Sequence, residues 1–586
     1  MPKTAKLIAE YLKKAGVQYY FGFNGHGNWP FLLAAEEVGL KGICTRREDQ
    51  AVHMADAYFR VTHRPQISTV TGGPGMTNIQ SALAGCIGDS SAQVVIAGCT
   101  TSQWFDKGVM QETYFKAPED WLASVKPYSK RTYMIIRPDT AVDMISKGLA
   151  LCQSGRPGPV VFSIPFDIQE EEIPETESPD PMGRFVATRS GTSQDILKRA
   201  VETITKAKKP LILAGGGSML SEAWNEIIEI ADKFQIPVAH TVGAKGIIPP
   251  SHPLYAGNIG VTGTCYSNKI AHESDVVISL GARFTELQTG GWRLLDPPEK
   301  TRIIQVDIDS SEIGRNYPVE LGVLADVKTF LQQLIKELTA ARYKTKNEWA
   351  EHIKEEREAW LREIQKYVRA KNRPLHPARV IWETCEVFKG DTIIIDTGLI
   401  GVYATGFSLI EEPMSFLASG NWHTMGFATA GVLGAQLGRP NKPAVAITGD
   451  GAFLMTNYSV LTAVEHRLPV TWVVSDNKSV YQEKVLMEAV YGKSTFADYT
   501  RKDTGELFGP DFVKLAEAYG ANGLYVDSPD DLKPALQKAK KSNEPCVVQV
   551  VTDRNVGTHA CPPWGITFPN KWSTPIEDWI HPVPRA

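Results

Sequence analysis

The stretch from Ala444 to Asn477 reads AVAITGDGAFLMTNYSVLTAVEHRLPVTWVVSDN and carries the clearest structural pattern in the chain. Its first apolar run ends in Gly449-Asp450-Gly451, a helical segment follows, and a second apolar run ends in Asp476-Asn477. Two apolar runs joined by a helical segment predict neighbouring parallel strands. Parallel strands end at one edge of a sheet, where open α/β sheets bind ligands. We therefore expect Asp450 and Asn477 to lie side by side at a binding site.

Both residues offer hard oxygen ligands, which suit Mg²⁺ when phosphate oxygens complete its coordination. The glycines on either side of Asp450 let the backbone approach a diphosphate closely. On the residues alone, a strand-end turn followed by an unrelated Asp-Asn turn would explain the same letters. The spacing also resembles the diphosphate-binding motif of thiamine diphosphate enzymes, which is Gly-Asp-Gly, about two dozen residues and then Asn. The resemblance implies thiamine diphosphate and Mg²⁺ as cofactors.

Composition argues against several functional classes. The 586 residues carry a net charge of −4, so nothing indicates a general attraction to nucleic acid or to an anionic membrane. No apolar run reaches the ~18 residues needed to span a bilayer, and residues 1–16 read as an amphipathic helix and not as a signal peptide. The eight cysteines are scattered without a CxxC pair, which is typical of reduced thiols. We expect a cytoplasmic enzyme with a small-molecule substrate.

Two breaks in composition divide the chain. The first, 169–194, is acidic and rich in proline, and the second is the charged stretch 340–377, whose centre NEWAEHIKEEREAWLREIQKYV is interpreted as a solvated helix. In each remaining block strand-like runs alternate with helical ones, which predicts three α/β domains with doubly wound parallel sheets. By the resemblance these are a pyrimidine-binding domain at 1–180, a central domain at 190–345, a diphosphate-binding domain at 370–555 and a C-terminal tail at 556–586 that covers the active site.

Glu48 opens a predicted helix in the segment RREDQAVHMADAYFR, 46–60. On its own this carboxylate is explained as a helix cap, because an anion is stabilised at a helix start. The segment also resembles, position by position, the Glu-x-x-Ala-x-His-x-Ala-Asp-x-Tyr pattern of thiamine diphosphate enzymes. The resemblance implies that Glu48 shares a proton with the aminopyrimidine ring of the cofactor and so promotes loss of the proton at thiazolium C2.

Three further segments resemble cofactor-binding segments of the same family. Residues 71–78 are similar to the loop over the pyrimidine, 420–426 to the segment whose Met props the bent cofactor, and 396–400 to a strand end that holds the diphosphate. The resemblance thus assigns the cofactor to Pro74, Asn78, Thr397, Gly398, Leu399, Ile400, His423, Met425, Gly449, Gly451 and Ala452, and the metal to Asp450, Asn477 and Ser479.

The central block follows the pattern that surrounds FAD in acetolactate synthases. The matching positions include Gly217, Arg283, Asp307 and Asp326. Such residues are also common in strand-end turns, and some relatives keep the central fold without a flavin. FAD is therefore an expectation that rests on the resemblance.

The loop 21–30 departs from acetolactate synthases. Its Gly25-His26-Gly27-Asn28 resembles the loop of dione hydrolases, and His423 stands where synthases have glycine. Synthases have an aromatic residue that selects the acceptor, and at that position this chain has Leu486, which follows a polar segment. Gln111, in contrast, belongs to a Gln-Glu stretch that is similar to that of the synthases. A structural hydrogen bond would explain each lone histidine equally well. The candidate catalytic residues are Glu48, His26, Gln111 and His423.

The leading hypothesis is a thiamine diphosphate- and Mg²⁺-dependent enzyme that acts on a 2-oxo acid or dicarbonyl, with acetolactate synthase-like decarboxylation and carboligation. One alternative is a C–C hydrolase of a cyclic 1,2-dione, and another is a non-catalytic homologue that only binds cofactor. In the family the first domain of one subunit faces the third domain of its neighbour. The resemblance therefore implies a homodimer or homotetramer with active sites at the subunit interface.

Overall fold

Eighteen strands form three separate sheets of six parallel strands each in the computed structural model, which describes residues 1–112, 120–174 and 188–557. Helices connect the strands of each sheet. The prediction of an α/β protein with three parallel sheets is confirmed. Half of the strands are buried along their whole length, which explains why they read in the sequence as continuous apolar runs and not as alternating ones.

The first sheet has the strand order β2-β1-β3-β4-β6-β5. Its strands are β1 (Tyr19–Gly22), β2 (Lys41–Cys44), β3 (Ile67–Val70), β4 (Val94–Cys99), β5 (Arg131–Met134) and β6 (Val160–Pro165). The helices of this part are Thr4–Lys14, Trp29–Glu37, Glu48–Thr62, Pro74–Asn78, Gln80–Gly88, Asp120–Val125, Ala141–Gln153 and Phe166–Glu170.

The second sheet has the strand order β9-β8-β7-β10-β11-β12. Counted within its own domain this is 3-2-1-4-5-6, the order found in dinucleotide-binding folds. The strands are β7 (Pro210–Ala214), β8 (Val238–His240), β9 (Tyr255–Asn258), β10 (Val276–Leu280), β11 (Arg302–Asp307) and β12 (Leu321–Leu324). The helices are Gln194–Thr205, Gly216–Leu220, Trp224–Phe234, Cys265–Glu273, Glu286–Thr289 and Val327–Ala340.

The third sheet has the order β14-β13-β15-β16-β18-β17, which repeats the order of the first sheet although their sequences are not recognisably repeats. The strands are β13 (Thr392–Ile395), β14 (Phe416–Ala418), β15 (Ala444–Gly449), β16 (Val470–Asp476), β17 (Asn522–Val526) and β18 (Cys546–Val551). The helices are Pro377–Val387, Leu399–Phe407, Phe427–Gly438, Asp450–Thr456, Ser459–Glu465, Tyr481–Tyr491, Phe512–Ala518 and Pro529–Ser542.

The charged helix between the second and third sheets, Asn347–Val368, corrects one expectation. It is not solvated on all sides, because one face is buried through Trp349, Ile353, Trp360, Ile364 and Val368. These positions recur at helical spacing and form an apolar stripe. The Trp349 indole also donates a hydrogen bond to the carbonyl oxygen of Pro210 at 3.0 Å. The helix therefore packs against the central domain near its start and against the core of the third domain near its end.

The first and third parts of the chain are in contact through one helix from each. Helix Glu48–Thr62 packs against helix Phe427–Gly438, and their closest approach is at Gly434. A Cβ atom there would lie 1.9 Å from the carbonyl oxygen of Met54, so only glycine fits. Within the described ranges, none of the helices combines the length and the apolar character needed to cross a bilayer.

Candidate functional site

The candidate site lies where β13, β15 and β16 end. These strands are neighbours in the third sheet, and their carboxyl ends lead into Asp396, Asp450 and Asn477. The connection after β13 leads to β14 on one side and the connection after β15 leads to β16 on the other, which makes the crevice between β13 and β15 a topological switch point. Ligands of open α/β sheets bind at such points.

Asp450 is the first residue of helix Asp450–Thr456 and is buried. Its Oδ1 accepts a hydrogen bond from the backbone N–H of Gly451 at 2.7 Å, and its Oδ2 accepts from those of Lys478 at 2.6 Å and Asn477 at 3.2 Å. Burial and, to a lesser extent, the nearby Asp476 carboxylate raise the pKa of Asp450 to about 7, against the effect of its backbone donors. A buried carboxylate held in this way favours a cation beside it.

The oxygens around Asp450 fit a magnesium ion. The side-chain Oδ1 of Asn477 is buried and has no hydrogen-bond partner, which is unusual for an amide oxygen. Ser479 is buried nearby in sequence, and its hydroxyl donates to the carbonyl oxygen of Ala497 at 3.1 Å, which leaves its oxygen able to accept. No cluster of three or more His, Cys, Asp or Glu side chains suited to a metal occurs in the described ranges. The protein thus supplies only part of a Mg²⁺ shell, as expected where phosphates supply the rest.

The end of β13 provides a second set of donors. Gly398 has φ of 134°, a conformation that favours glycine, and a Cβ atom there would meet nothing within 4 Å. Leu399 and Ile400 begin helix Leu399–Phe407, whose first backbone N–H groups lack partners within the helix and favour an anion. The Thr397 hydroxyl is also buried without a partner. This end of the sheet is therefore shaped for phosphate oxygens.

The Gly-Asp-Gly turn is tightly covered. A Cβ atom at Gly451 would lie 2.6 Å from the Tyr499 hydroxyl and 3.6 Å from the Met425 Cε, so a larger residue would displace one of them. A Cβ atom at Gly449 would meet nothing within 4 Å, and Ala452 is buried. Met425 therefore lies beside the turn.

The loop 419–426 carries both His423 and Met425 and is held at its end by Asp396. This buried carboxylate accepts hydrogen bonds from the backbone N–H groups of Gly426 at 2.8 Å and Ala428 at 3.2 Å. Burial raises the pKa of Asp396 to about 6, against the effect of its backbone donors. His423 lines the interior cavity although the residue is exposed, and desolvation lowers its pKa while Asp89 acts in the opposite direction.

Glu48 lies in the first part of the chain at the start of helix Glu48–Thr62. It is buried, and its Oε2 accepts a hydrogen bond from Asn78 Nδ2 at 2.9 Å. Pro74 and Asn78 begin and end the short helix Pro74–Asn78 that carries this donor. The hydrogen-bond partner of Glu48 belongs to the first part of the chain, and those of Asp450 belong to the third. The two carboxylates therefore share no hydrogen-bond partner, although Asp49, next to Glu48, accepts a hydrogen bond from the Tyr458 hydroxyl of the third part at 2.9 Å.

His26 and Gln111 both lie next to the loop 71–78. The turn His26–Asn28 is fixed by a hydrogen bond from the backbone N–H of Gly27 to Thr71 Oγ1 at 3.3 Å. The carbonyl oxygen of Gln111 faces Gly73 so closely that a Cβ atom there would lie 2.2 Å away, but the Gln111 side chain is exposed. Glu112, the next residue of the Gln-Glu stretch, accepts a hydrogen bond from the backbone N–H of Thr100 at 2.9 Å.

An interior cavity of about 360 Å³ connects the second sheet with this site. It opens at the switch point of the central sheet, between the ends of β7 and β10. The guanidinium of Arg283 donates to the carbonyl oxygen of Gly88 at 2.6 Å, and the Asp326 carboxylate accepts from the Ser221 hydroxyl at 2.7 Å. The predicted residues that line the cavity are Gly217, Arg283, Asp307, Asp326, Thr397, Gly398 and His423.

The sequence analysis missed three residues that contact these loops, namely Arg60, Asp89 and Tyr499. Arg60 had a signal, since Asp56 and Arg60 are opposite charges at helical spacing. Asp89 reads only as a turn residue after helix Gln80–Gly88, and no local pattern marks Tyr499.

The tail expected to cover the site lies outside the described residues from 558 onward. Its last described residue, Gly557, accepts a hydrogen bond from the Tyr403 hydroxyl at 2.5 Å.

Three known domain families match this chain. Residues 2–118 match the N-terminal TPP binding domain of thiamine pyrophosphate (thiamine diphosphate, TPP) enzymes. Residues 197–334 match the central domain of these enzymes, and 396–550 match their C-terminal TPP binding domain.

Whole proteins with similar sequences carry two kinds of name. A probable acetolactate synthase large subunit of Methanocaldococcus jannaschii is 32% identical over 96% of this chain and 94% of its own length. The acetolactate synthase large subunit of Haemophilus influenzae is 28% identical over 91% of each chain. Sulfoacetaldehyde acetyltransferase of Alcaligenes xylosoxydans xylosoxydans is 29% identical over 92% of each chain.

Proposed function

The chain belongs to the thiamine pyrophosphate enzymes, in the group that includes acetolactate synthase large subunits, and from that premise we propose that it makes or breaks a carbon–carbon bond next to a carbonyl group with the help of Mg²⁺. The substrate class is a 2-oxo acid or a related dicarbonyl. The reaction is decarboxylation followed by carboligation, by analogy with the relatives named acetolactate synthase. The observation that carries the proposal is the buried, unpartnered Asn477 oxygen beside the Asp450 carboxylate.

In this proposal the third domain holds the diphosphate and its metal. Asp450, Asn477 and Ser479 bind Mg²⁺, and the diphosphate completes the coordination. The backbone of Thr397, Gly398, Leu399 and Ile400 donates to phosphate oxygens from one side, and the turn formed by Gly449, Gly451 and Ala452 approaches them from the other. The buried carboxylate keeps its negative charge when the cation is beside it.

When bound, thiamine diphosphate supplies a nucleophilic carbon and an electron sink for cleavage of the carbon–carbon bond. Glu48 exchanges a proton with a ring nitrogen of the cofactor, and Asn78 keeps the Glu48 carboxylate oriented by its hydrogen bond. Pro74 belongs to the same loop, and Met425 supports the ring from the other domain. His26, Gln111 and His423 contact the substrate from the loops around this point.

The central domain is the site for FAD. Its strand order is that of dinucleotide-binding folds, and its switch point opens into the cavity lined by Gly217 and Arg283. The Arg283 guanidinium would bind phosphate oxygens, and Asp307 and Asp326 would accept hydrogen bonds from hydroxyl groups. No redox step is assigned to the flavin.

The complete active site requires two chains. By analogy with the family, in which the first domain of one subunit faces the third domain of its neighbour, a cofactor that touches both Glu48 and Asp450 would bridge two chains. The protein is therefore a homodimer or a homotetramer built from such dimers.

Two substrates test the reaction. The purified protein with thiamine diphosphate and Mg²⁺ should release CO₂ from pyruvate and form acetolactate, and it should leave cyclohexane-1,2-dione unchanged. Ring opening of the dione without turnover of pyruvate would instead favour a dione hydrolase, to which the His26 loop is similar. Turnover of neither compound would contradict both choices of substrate and require a wider series of 2-oxo acids.

A further inference from the structure

The loop 419–426, which carries His423 and Met425, is hydrogen-bonded to the first domain of its own chain. The Asp89 carboxylate accepts hydrogen bonds from the backbone N–H groups of Gly420 at 2.9 Å and Asn421 at 3.1 Å. The approach is close, because a Cβ atom at Gly420 would lie 2.2 Å from Asp89 Oδ1. Asp89 thus fixes the beginning of the loop, as Asp396 fixes its end.

Arg60 reinforces this contact from the same domain. Its guanidinium donates to Asp89 Oδ2 at 3.0 Å and to the carbonyl oxygen of Ala418 at 2.7 Å, just before the loop. It also lies 4.9 Å from the ring centroid of Phe427, just after the loop. Asp56 binds the same guanidinium through two hydrogen bonds, at 2.7 and 2.8 Å. Arg60 therefore contacts the residues that flank both ends of the loop.

This largely buried group places one guanidinium between two carboxylates. Burial disfavours the charged guanidinium, but Asp56 and Asp89 outweigh it and raise the pKa of Arg60. A charged, bidentate arginine is a rigid anchor for a backbone segment, because hydrogen bonds that involve ions are stronger and better defined than neutral ones.

We propose that Asp89 and Arg60 are positioning residues that hold the 419–426 loop so that Met425 and His423 meet the ring end of the cofactor and the substrate. The proposal rests on the proposed function. Asp89 and Arg60 do not contact the diphosphate, because the backbone groups that would donate to it lie at the ends of β13 and β15. The proposal also means that the first domain acts on the site of its own chain through this loop, in addition to offering Glu48 to the neighbouring chain.

Two ligands separate the ring end of the site from its phosphate end. Full-length protein is titrated calorimetrically with thiamine diphosphate and, separately, with inorganic diphosphate, both in the presence of Mg²⁺. In the Asp89→Asn variant the negative charge that binds Arg60 and the two backbone N–H groups is lost. It should bind thiamine diphosphate about tenfold more weakly than the wild type and bind inorganic diphosphate equally well.

Gly420→Ala disturbs the same contact from the other domain and should have the same selective effect, which also covers the case in which Asp89→Asn does not fold. The double variant should be no weaker than either single variant, since both remove one interaction. One control should match the wild type. Asp139→Asn changes an exposed aspartate that is paired with Arg137.

Unchanged affinity for thiamine diphosphate in both single variants would overturn the positioning role. Equal losses for both ligands, or additive losses in the double variant, would also overturn it, because they indicate general destabilisation. If the wild type binds neither ligand, the cofactor assignment itself is wrong and the positioning role falls with it. That result is distinguishable, because it appears before any variant is made.

Discussion

The side chain of Asn78 donates a hydrogen bond to the carboxylate of Glu48 across 2.9 Å, and it does so from a different helix of the first domain. The contact fixes one oxygen of a buried carboxylate at the start of helix Glu48–Thr62. A capping carboxylate would accept from the backbone of its own helix, whereas the bond of Glu48 comes from the Asn78 side chain. The relationship therefore favours a role for Glu48 toward a ligand.

Replacement of Glu48 by Gln should leave a folded protein that still binds thiamine diphosphate, because Gln keeps the shape and can still accept from Asn78. The turnover number should fall on the order of 10²–10⁴-fold, the scale of an acid–base contribution. Steady-state kinetics at saturating cofactor measure the loss. The exposed Glu36→Gln variant serves as a control, and a fully active Glu48→Gln enzyme would contradict the assignment.

Asp450→Ala should remove Mg²⁺-dependent cofactor binding. Loss of a residue that only orients a metal ligand typically weakens metal affinity 10–100-fold. Loss of an anionic ligand itself should therefore weaken cofactor affinity at least about 100-fold. Titration of thiamine diphosphate with and without EDTA measures this effect. The exposed Asp530→Ala variant should behave as the wild type. If EDTA and Asp450→Ala both leave affinity unchanged, the metal lies elsewhere.

The strand ends were predictable from sequence because they are local. Asp450 and Asn477 follow two apolar runs, so the topology of parallel strands brings them together without knowledge of the rest of the fold. Glu48 required the family resemblance, since a carboxylate at a helix start is usually only a cap. The identical strand orders of the first and third sheets, and the dinucleotide-type order of the second, were not readable from the strand runs alone.

Contacts between distant parts of the chain could not be predicted. Asp89 meets Gly420 across more than three hundred residues of sequence, and no local pattern links them. The helix Asn347–Val368 was misjudged for another reason, because its many charges conceal an apolar stripe of every third or fourth residue. Attention to the spacing of Trp349, Ile353, Trp360 and Ile364 would have corrected the interpretation.

Mixed subunits test whether the active site is shared. Glu48→Gln and Asp450→Ala chains are each expected to be inactive, but a mixed dimer would contain one site with both native residues. Random exchange should then restore about one quarter of the wild-type activity, since half of the dimers are mixed and each has one intact site. Separately labelled chains report exchange by energy transfer. Exchange without recovery, or an active monomer in sedimentation, would contradict a shared site.

Lys245 should make stability depend on pH. It is buried in the central domain, donates to the carbonyl oxygen of Thr405 at 2.7 Å, and burial lowers its pKa to about 7. Between pH 7 and its ordinary pKa of 10.5 the unfolded chain binds the extra proton, so the free energy of unfolding rises with pH in that window. Below pH 7 both states are protonated and the dependence disappears.

The variant Lys245→Met removes this titration. The Tm of the wild type relative to this variant should rise by ~5 °C between pH 7 and pH 9 in thermal scans at one fixed rate. Lys206→Met, at an exposed position of the same domain, should show no such change. A constant difference between wild type and Lys245→Met across this range would mean that Lys245 stays charged inside the fold.

The central claim is that Glu48 activates a bound thiamine diphosphate, and exchange of the cofactor C2 proton in D₂O tests it most directly. Rapid quench followed by proton NMR measures the exchange rate on the wild-type protein, on Glu48→Gln and on free cofactor. The account predicts that the wild type accelerates exchange well above the free cofactor and that Glu48→Gln loses on the order of 10²-fold or more of this acceleration. Exchange on the wild type no faster than in free solution, with the cofactor shown to be bound, would contradict the account and identify a binding protein instead of an enzyme.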